Sequence, residues 1–136
     1  MRKDAKIELI REVPLFGSLS KAQLAQVASI ADEINLPEGR VLTREGERGR
    51  EFFVLIDGEV EVRRNGRKLR TMGSREFLGE LALISDRPRT ATVTATKPLR
   101  VLVVTDTEFR SVLLSTPQIA LKVLEAAAQR MPLGTV

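Results

Sequence analysis

Apolar positions in the first thirty residues recur at helical spacing. Ile7, Ile10 and Val13 share one side of a short helix within the first dozen residues, which Pro14 ends or bends. Leu15-Phe16-Gly17 makes a compact apolar turn. Ser20 followed by Gln23 is a capping box, and Leu19 with Leu24 has the spacing of a hydrophobic staple. A helix over Lys21–Ala31 follows, burying Leu24, Val27, Ala28 and Ala31.

From Asp32 to Val104 the pattern changes to short β segments separated by turn signals, the spacing of a sandwich or barrel. Pro37-Glu38-Gly39 turns the chain into a short strand over Val41–Arg44. A loop with two glycines, Gly46 and Gly49, leads to the strongly apolar strand Glu51–Ile56. Asp57-Gly58 turns into Glu59–Val62, which alternates with period two, and Asn65-Gly66 is a type I′ hairpin signal before Arg67–Met72. Ala91–Ala95 and Leu99–Val104 read as two further strands, with Lys97-Pro98 between them.

Helical signals return at the end. Thr105 and Glu108 form a second capping box for a helix through Phe109, Val112 and Leu113. Ser115-Thr116-Pro117 breaks it and starts another, which carries Ile119, Val123, Ala127 and Met131 at steps of four until Pro132-Leu133-Gly134. Phe16, Phe52, Phe53 and Phe77 are expected in the core.

Composition removes several function classes. The chain has 136 residues, the size of one domain, and no cysteine, so disulfide and thiol chemistry are absent. It also has no histidine, which removes the commonest general base and the commonest metal ligand. A metal-dependent β-barrel enzyme is thereby disfavoured, no nucleophile–base pair stands out, and the chain is not expected to be an enzyme. No apolar run approaches the ~18 residues of a membrane span, and the N-terminus lacks the apolar core of a signal peptide. A cytoplasmic location is expected. The net charge of +4 suits an anionic partner. The basic cluster Arg63, Arg64, Arg67, Lys68 and Arg70 reads as protection of an exposed hairpin edge. No aromatic residue interleaves there to stack bases, so direct DNA binding is not expected.

The stretch that carries chemistry runs from Phe77 to Val93, F-L-G-E-L-A-L-I-S-D-R-P-R-T-A-T-V. Gly79 lets the backbone approach a ligand, and a short helix starting at Glu80 would aim free N–H groups at an anion. Arg89 brings a fork of donors suited to phosphate oxygens. Glu80, an acceptor when ionised, suits sugar hydroxyls.

This stretch resembles the phosphate-binding cassette of cyclic-nucleotide-binding domains, as found in regulatory subunits of cyclic-AMP-dependent protein kinases and in catabolite-activator-type sensor domains. Gly79, Glu80, Leu81, Ala82, Arg89, Thr90 and Ala91 fall on the matching positions without a gap. The Pro-Leu-Phe-x-x-Leu-Ser entry and the element order extend the resemblance to roughly residues 13 to 131. It implies an α+β fold, a double-stranded β-helix or jelly-roll-like β-roll flanked by helices. One domain is expected over 1–136, helical over 1–31, β-roll with cassette over 32–104, and C-terminal helices over 105–131.

The resemblance implies a cyclic-nucleotide sensor with no cofactor beyond its ligand, cyclic AMP first and cyclic GMP as the alternative. Leu81, Ala82 and Ala91 would offer N–H groups and Arg89 its charge to the cyclic phosphate, while Glu80 would bind the ribose 2′-hydroxyl. Thr90 is compatible with either base. No aromatic residue follows Phe109, so a base lid would come from Leu121, Leu124 or Arg130. Binding would be relayed through the C-terminal helices. No helix-turn-helix, kinase motif set or channel segment is recognisable, so an effector domain or protein partner outside this sequence is expected. A degenerate module that keeps the fold for interaction or dimerisation is the reading from another class.

Overall fold

The computed structural model describes residues 1–129, and the chain divides into two compact units. Among the described residues the helical unit takes Met1–Ile30 and Glu108–Gln129; the β unit is Ala31–Thr107.

In the helical unit, α1 spans Lys3–Arg11 and buries Ile7, Leu9 and Ile10. It stops before Pro14, which instead opens a 3-10 turn over Pro14–Phe16. The expected capping box forms at the start of α2 (Lys21–Ser29): Gln23 N–H donates to Ser20 Oγ at 3.2 Å, and Ser20 N–H donates to Gln23 Oε1 at 2.9 Å. This helix ends before Ala31 because Asp32 is already paired in a sheet, opposite Val103. Helix α3 spans Asp106–Ser115, with Thr105 immediately before its first residue, and α4 spans Pro117–Gln129 with proline in first place. Ile119 and Val123 are buried on α4, and the rings of Phe16 and Phe109 meet edge to face at 5.6 Å. Arg130, Met131 and the Pro132-Leu133-Gly134 stop lie outside the described residues.

The β unit is two antiparallel four-stranded sheets. The first has the order β1-β8-β3-β6, with β1 Asp32–Leu36, β8 Leu99–Thr105, β3 Glu51–Asp57 and β6 Phe77–Leu78. The second has the order β2-β7-β4-β5, with β2 Val41–Thr43, β7 Thr92–Ala95, β4 Val60–Arg64 and β5 Arg67–Met72. Strand β1 is the one that patterning missed. Asp32, Glu33 and Asn35 are poor strand formers, and pairing with apolar β8 overrides them.

Asn65 and Gly66 both take positive φ, 53° and 76°, as a type I′ turn demands. Phe53, Leu55 and Val101 of the first sheet and Val60, Val62, Met72, Val93 and Ala95 of the second share one core, so the sheets face each other. This is the jelly-roll-like α+β architecture. Its purpose for the site is to bring the ends of β2, β4 and β7 beside the segment that follows β6.

Candidate functional site

Gly79 follows β6 in the left-handed region, at φ 80° and ψ 20°. The residues after it, Glu80–Leu83, form a single 3-10 turn rather than an α-helix. A four-residue turn has little macrodipole, so what it offers an anion is individual N–H groups. The Ala82 N–H is already engaged, donating to Gly79 O at 3.0 Å to close the turn. The Leu81 N–H comes ahead of that bond in the turn.

Arg89 is seated by two glycines. A Cβ built on Gly49 would fall 1.8 Å from Arg89 Nε, and one on Gly79 would fall 2.2 Å from Nη1. Nη2 donates to Glu51 O at 2.6 Å. Nε is buried and makes no hydrogen bond among the described residues. Burial presses the Arg89 guanidinium below the ordinary arginine pKa, while the negative charge of Glu51 opposes that shift. The backbone of the residue is held too: its N–H donates to Glu47 O at 2.8 Å and its carbonyl accepts from Gly46 N–H at 2.9 Å. An ion pair from Arg48 Nη1 to Asp86 Oδ2, at 2.5 Å, ties the same two loops together.

A cavity of about 430 Å3 opens in front of this arrangement, within the usual range for a small-molecule site. All seven residues singled out in the sequence line it: Gly79, Glu80, Leu81, Ala82, Arg89, Thr90 and Ala91. A second, smaller cavity of about 190 Å3 is lined by Gly49, Glu51 and also Arg89, which thus borders both.

Sequence reasoning missed part of the wall. Val62, Leu69 and Met72 give it an apolar side, and Arg64, Arg70 and Arg87 add cations. Phe77, expected in the core, is half-buried: it meets Phe52 edge to face at 6.2 Å and also lines the cavity. The basic hairpin is likewise more than edge protection, since Arg64 and Arg70 reach the cavity while Arg63 pairs with Glu61. The one advance signal was Leu69, an apolar residue among cations on an edge strand. The lid candidates Leu121 and Leu124 are exposed residues of α4 in the helical unit.

The arrangement matches known proteins. Residues 33–116 match the family model of the cyclic nucleotide-binding domain. A cGMP-dependent protein kinase of Toxoplasma gondii is 38% identical over 90 residues, which is 66% of this chain and 9% of that protein. A cAMP-dependent protein kinase regulatory subunit of Mycosarcoma maydis is 37% identical over 108 residues, 74% of this chain and 21% of that protein. The chain thus spans about a fifth or less of these two relatives. Among solved structures, the N-terminal domain of a transcriptional regulator from Streptomyces coelicolor A3(2) superposes with a TM-score of 0.81 at 33% identity, covering 90% of this chain and 91% of that one. The matched region is a regulatory, ligand-binding domain and not a catalytic one, and among the described residues no helix is long and apolar enough to cross a membrane. With fold, cassette and family match in agreement, this chain belongs to the cyclic nucleotide-binding domain family.

Proposed function

We propose that the chain is a cyclic AMP sensor whose cavity holds the cyclic phosphate at Arg89. The observation that carries this reading is the seating of that arginine. A buried Nε and a fork pressed between two glycines are arranged for one anion with several oxygens. Glu80 in the same cavity would repel a second anion and suits hydroxyl donors instead, here the ribose 2′-hydroxyl. Val62, Leu69 and Met72 supply the apolar surface a base needs. Phosphate, sugar hydroxyl and flat apolar ring together describe a nucleotide. The N–H groups of Leu81 and Ala91 complete the phosphate site, and Ala82 supports it by closing the turn.

Cyclic GMP is the second reading, favoured by Arg70 and Thr90 in the cavity wall. An arginine fork matches the O6 and N7 acceptors of guanine, and threonine can add a hydroxyl. Relatives named for each nucleotide match this chain.

The output runs through the C-terminal helices to an effector domain or protein partner. Within the β unit, Asp106 N–H donates to Arg50 O at 2.8 Å, one residue from Gly49. Arg50 Nη1 also lies 3.7 Å from Asp106 Oδ2. A ligand shifts such an element only by its differential affinity for two states.

Calorimetric titration with both nucleotides, on the native chain and on Arg89→Ala, tests the reading. Saturable binding that the substitution weakens severely is expected, and the two affinities rank the bases. No heat and no thermal shift at millimolar nucleotide would leave the interaction module as the better account.

A further inference from the structure

The segment that carries the clamp, Arg89 to Ala91, belongs to neither sheet, yet each of its carbonyls is held by a different element. Arg89 O accepts from Gly46 N–H at 2.9 Å. Ala91 O accepts from Thr43 Oγ1, a buried hydroxyl on β2, at 2.9 Å. Thr90 O accepts from the side chain of Arg64, whose Nε donates at 2.9 Å from the end of β4.

This third bond has a topological reason. The β4–β7 ladder has Arg63 opposite Thr92 as its last pair. One residue on, the turn at Asn65 takes the β4 backbone out of the ladder. The Arg64 side chain supplies the rung that the backbone no longer can. The hairpin tip is fixed beside it, because Asn65 N–H donates to Glu45 Oε1 at 2.9 Å and Glu45 N–H donates to Thr92 Oγ1 at 3.0 Å.

We infer that Arg64 is a positioning residue for the ligand site: by holding the Thr90 carbonyl it sets where the Thr90 side chain and the following Ala91 N–H face the cavity. It acts by its Nε–H and not by its charge. The inference rests on the cyclic-nucleotide reading for its effect on affinity, but its geometric half stands without a ligand.

Two substitutions separate donor from charge. Gln Nε2 sits the same number of bonds from Cα as Arg Nε, so Arg64→Gln keeps a donor and removes the cation. Arg64→Met fills the same length with neither, and Arg64→Ala replaces it in the comparison if the methionine variant fails to fold. Nucleotide affinity is measured by titration and dissociation rates by stopped flow. Backbone amide shifts and hydrogen exchange at Thr90 and Ala91 are recorded on the ligand-free chains.

Arg64→Met is expected to weaken binding about five- to tenfold, chiefly through faster dissociation, and to speed exchange at Ala91. Arg64→Gln is expected to recover affinity to within about threefold of the native chain, a margin smaller than one hydrogen bond. A glutamine variant as weak as the methionine one would assign the effect to charge and overturn the inference. So would a methionine variant with native affinity and native exchange. If the native chain binds no nucleotide, the cyclic-nucleotide reading fails, and the ligand-free amides alone decide for or against Arg64.

Discussion

Arg89 Nη2 donates to the carbonyl oxygen of Glu51 at 2.6 Å, so the cation of the cavity is anchored on the main chain of β3. One edge of the guanidinium is spent on that anchor, and Nε is buried behind it. Lysine has no such division of labour. Arg89→Lys should therefore lose ~10-fold in nucleotide affinity and Arg89→Ala ~100-fold or more, as charged hydrogen bonds of this kind imply. Calorimetric titration of both variants checks the order.

The seating by glycine predicts a remote-looking loss. In Gly49→Ala the new methyl would occupy the place of Arg89 Nε, while its φ is not in the left-handed region. Affinity should fall ~10-fold, with stability changed by no more than about 1 kcal/mol, because Arg89 and not the backbone must move. Titration beside a thermal melt separates the two quantities, and equal losses in both would contradict the argument.

Glu80 can be assigned by chemistry on the ligand side. If it holds the ribose 2′-hydroxyl, Glu80→Ala should weaken binding of the native nucleotide by ~10-fold yet leave the 2′-deoxy analogue nearly unaffected. A double-mutant cycle over protein and ligand measures this. Equal losses for both ligands would place Glu80 in a supporting role.

Thr43 offers a stability test. Its hydroxyl satisfies the carbonyl of Ala91 in a buried setting. Thr43→Val keeps the shape and strands that carbonyl, which should cost about 1–3 kcal/mol. A lower urea midpoint with an unchanged slope is the expected result.

Binding should not depend on pH between about pH 6 and 8. The chain has no histidine to titrate there. Arg89 has its pKa lowered chiefly by burial, with Glu51 opposing. For a cation, a lowered folded pKa means that the charged form is disfavoured in the fold. That cost is constant at every pH below the folded value and fades only as pH rises through it, and arginine side chains stay protonated across the neutral range. A titration series across the neutral range checks this, and a slope would point to a carboxylate with a raised pKa.

The cassette was legible because its chemistry is local in sequence. Gly79, Glu80 and Arg89 announce a turn, an acceptor and a fork within a dozen positions, and all seven expected residues meet in one cavity. The Asn65-Gly66 hairpin and the Ser20–Gln23 cap were legible for the same reason. Strand β1 was not, because its polar residues depend on β8 some seventy positions away for their conformation. Nor were Arg64, Leu69 and Arg70 as cavity residues. Their alternation says which face of β5 or β4 they occupy, but not that the loop following β6 packs beside that face.

The scattered anchors of residues 89–91 have a consequence for how the protein matures. The bonds that join this segment to Arg64, Glu51 and Thr43 span 26, 38 and 48 residues. Such long closures form late and together, since each is entropically costly until its neighbours are in place. A synthetic peptide of residues 77–93 would carry every recognisable letter of the cassette and recognise nothing. Nucleotide binding would then report completed folding, and a ligand that binds only the finished roll would stabilise it against the unfolded chain by mass action.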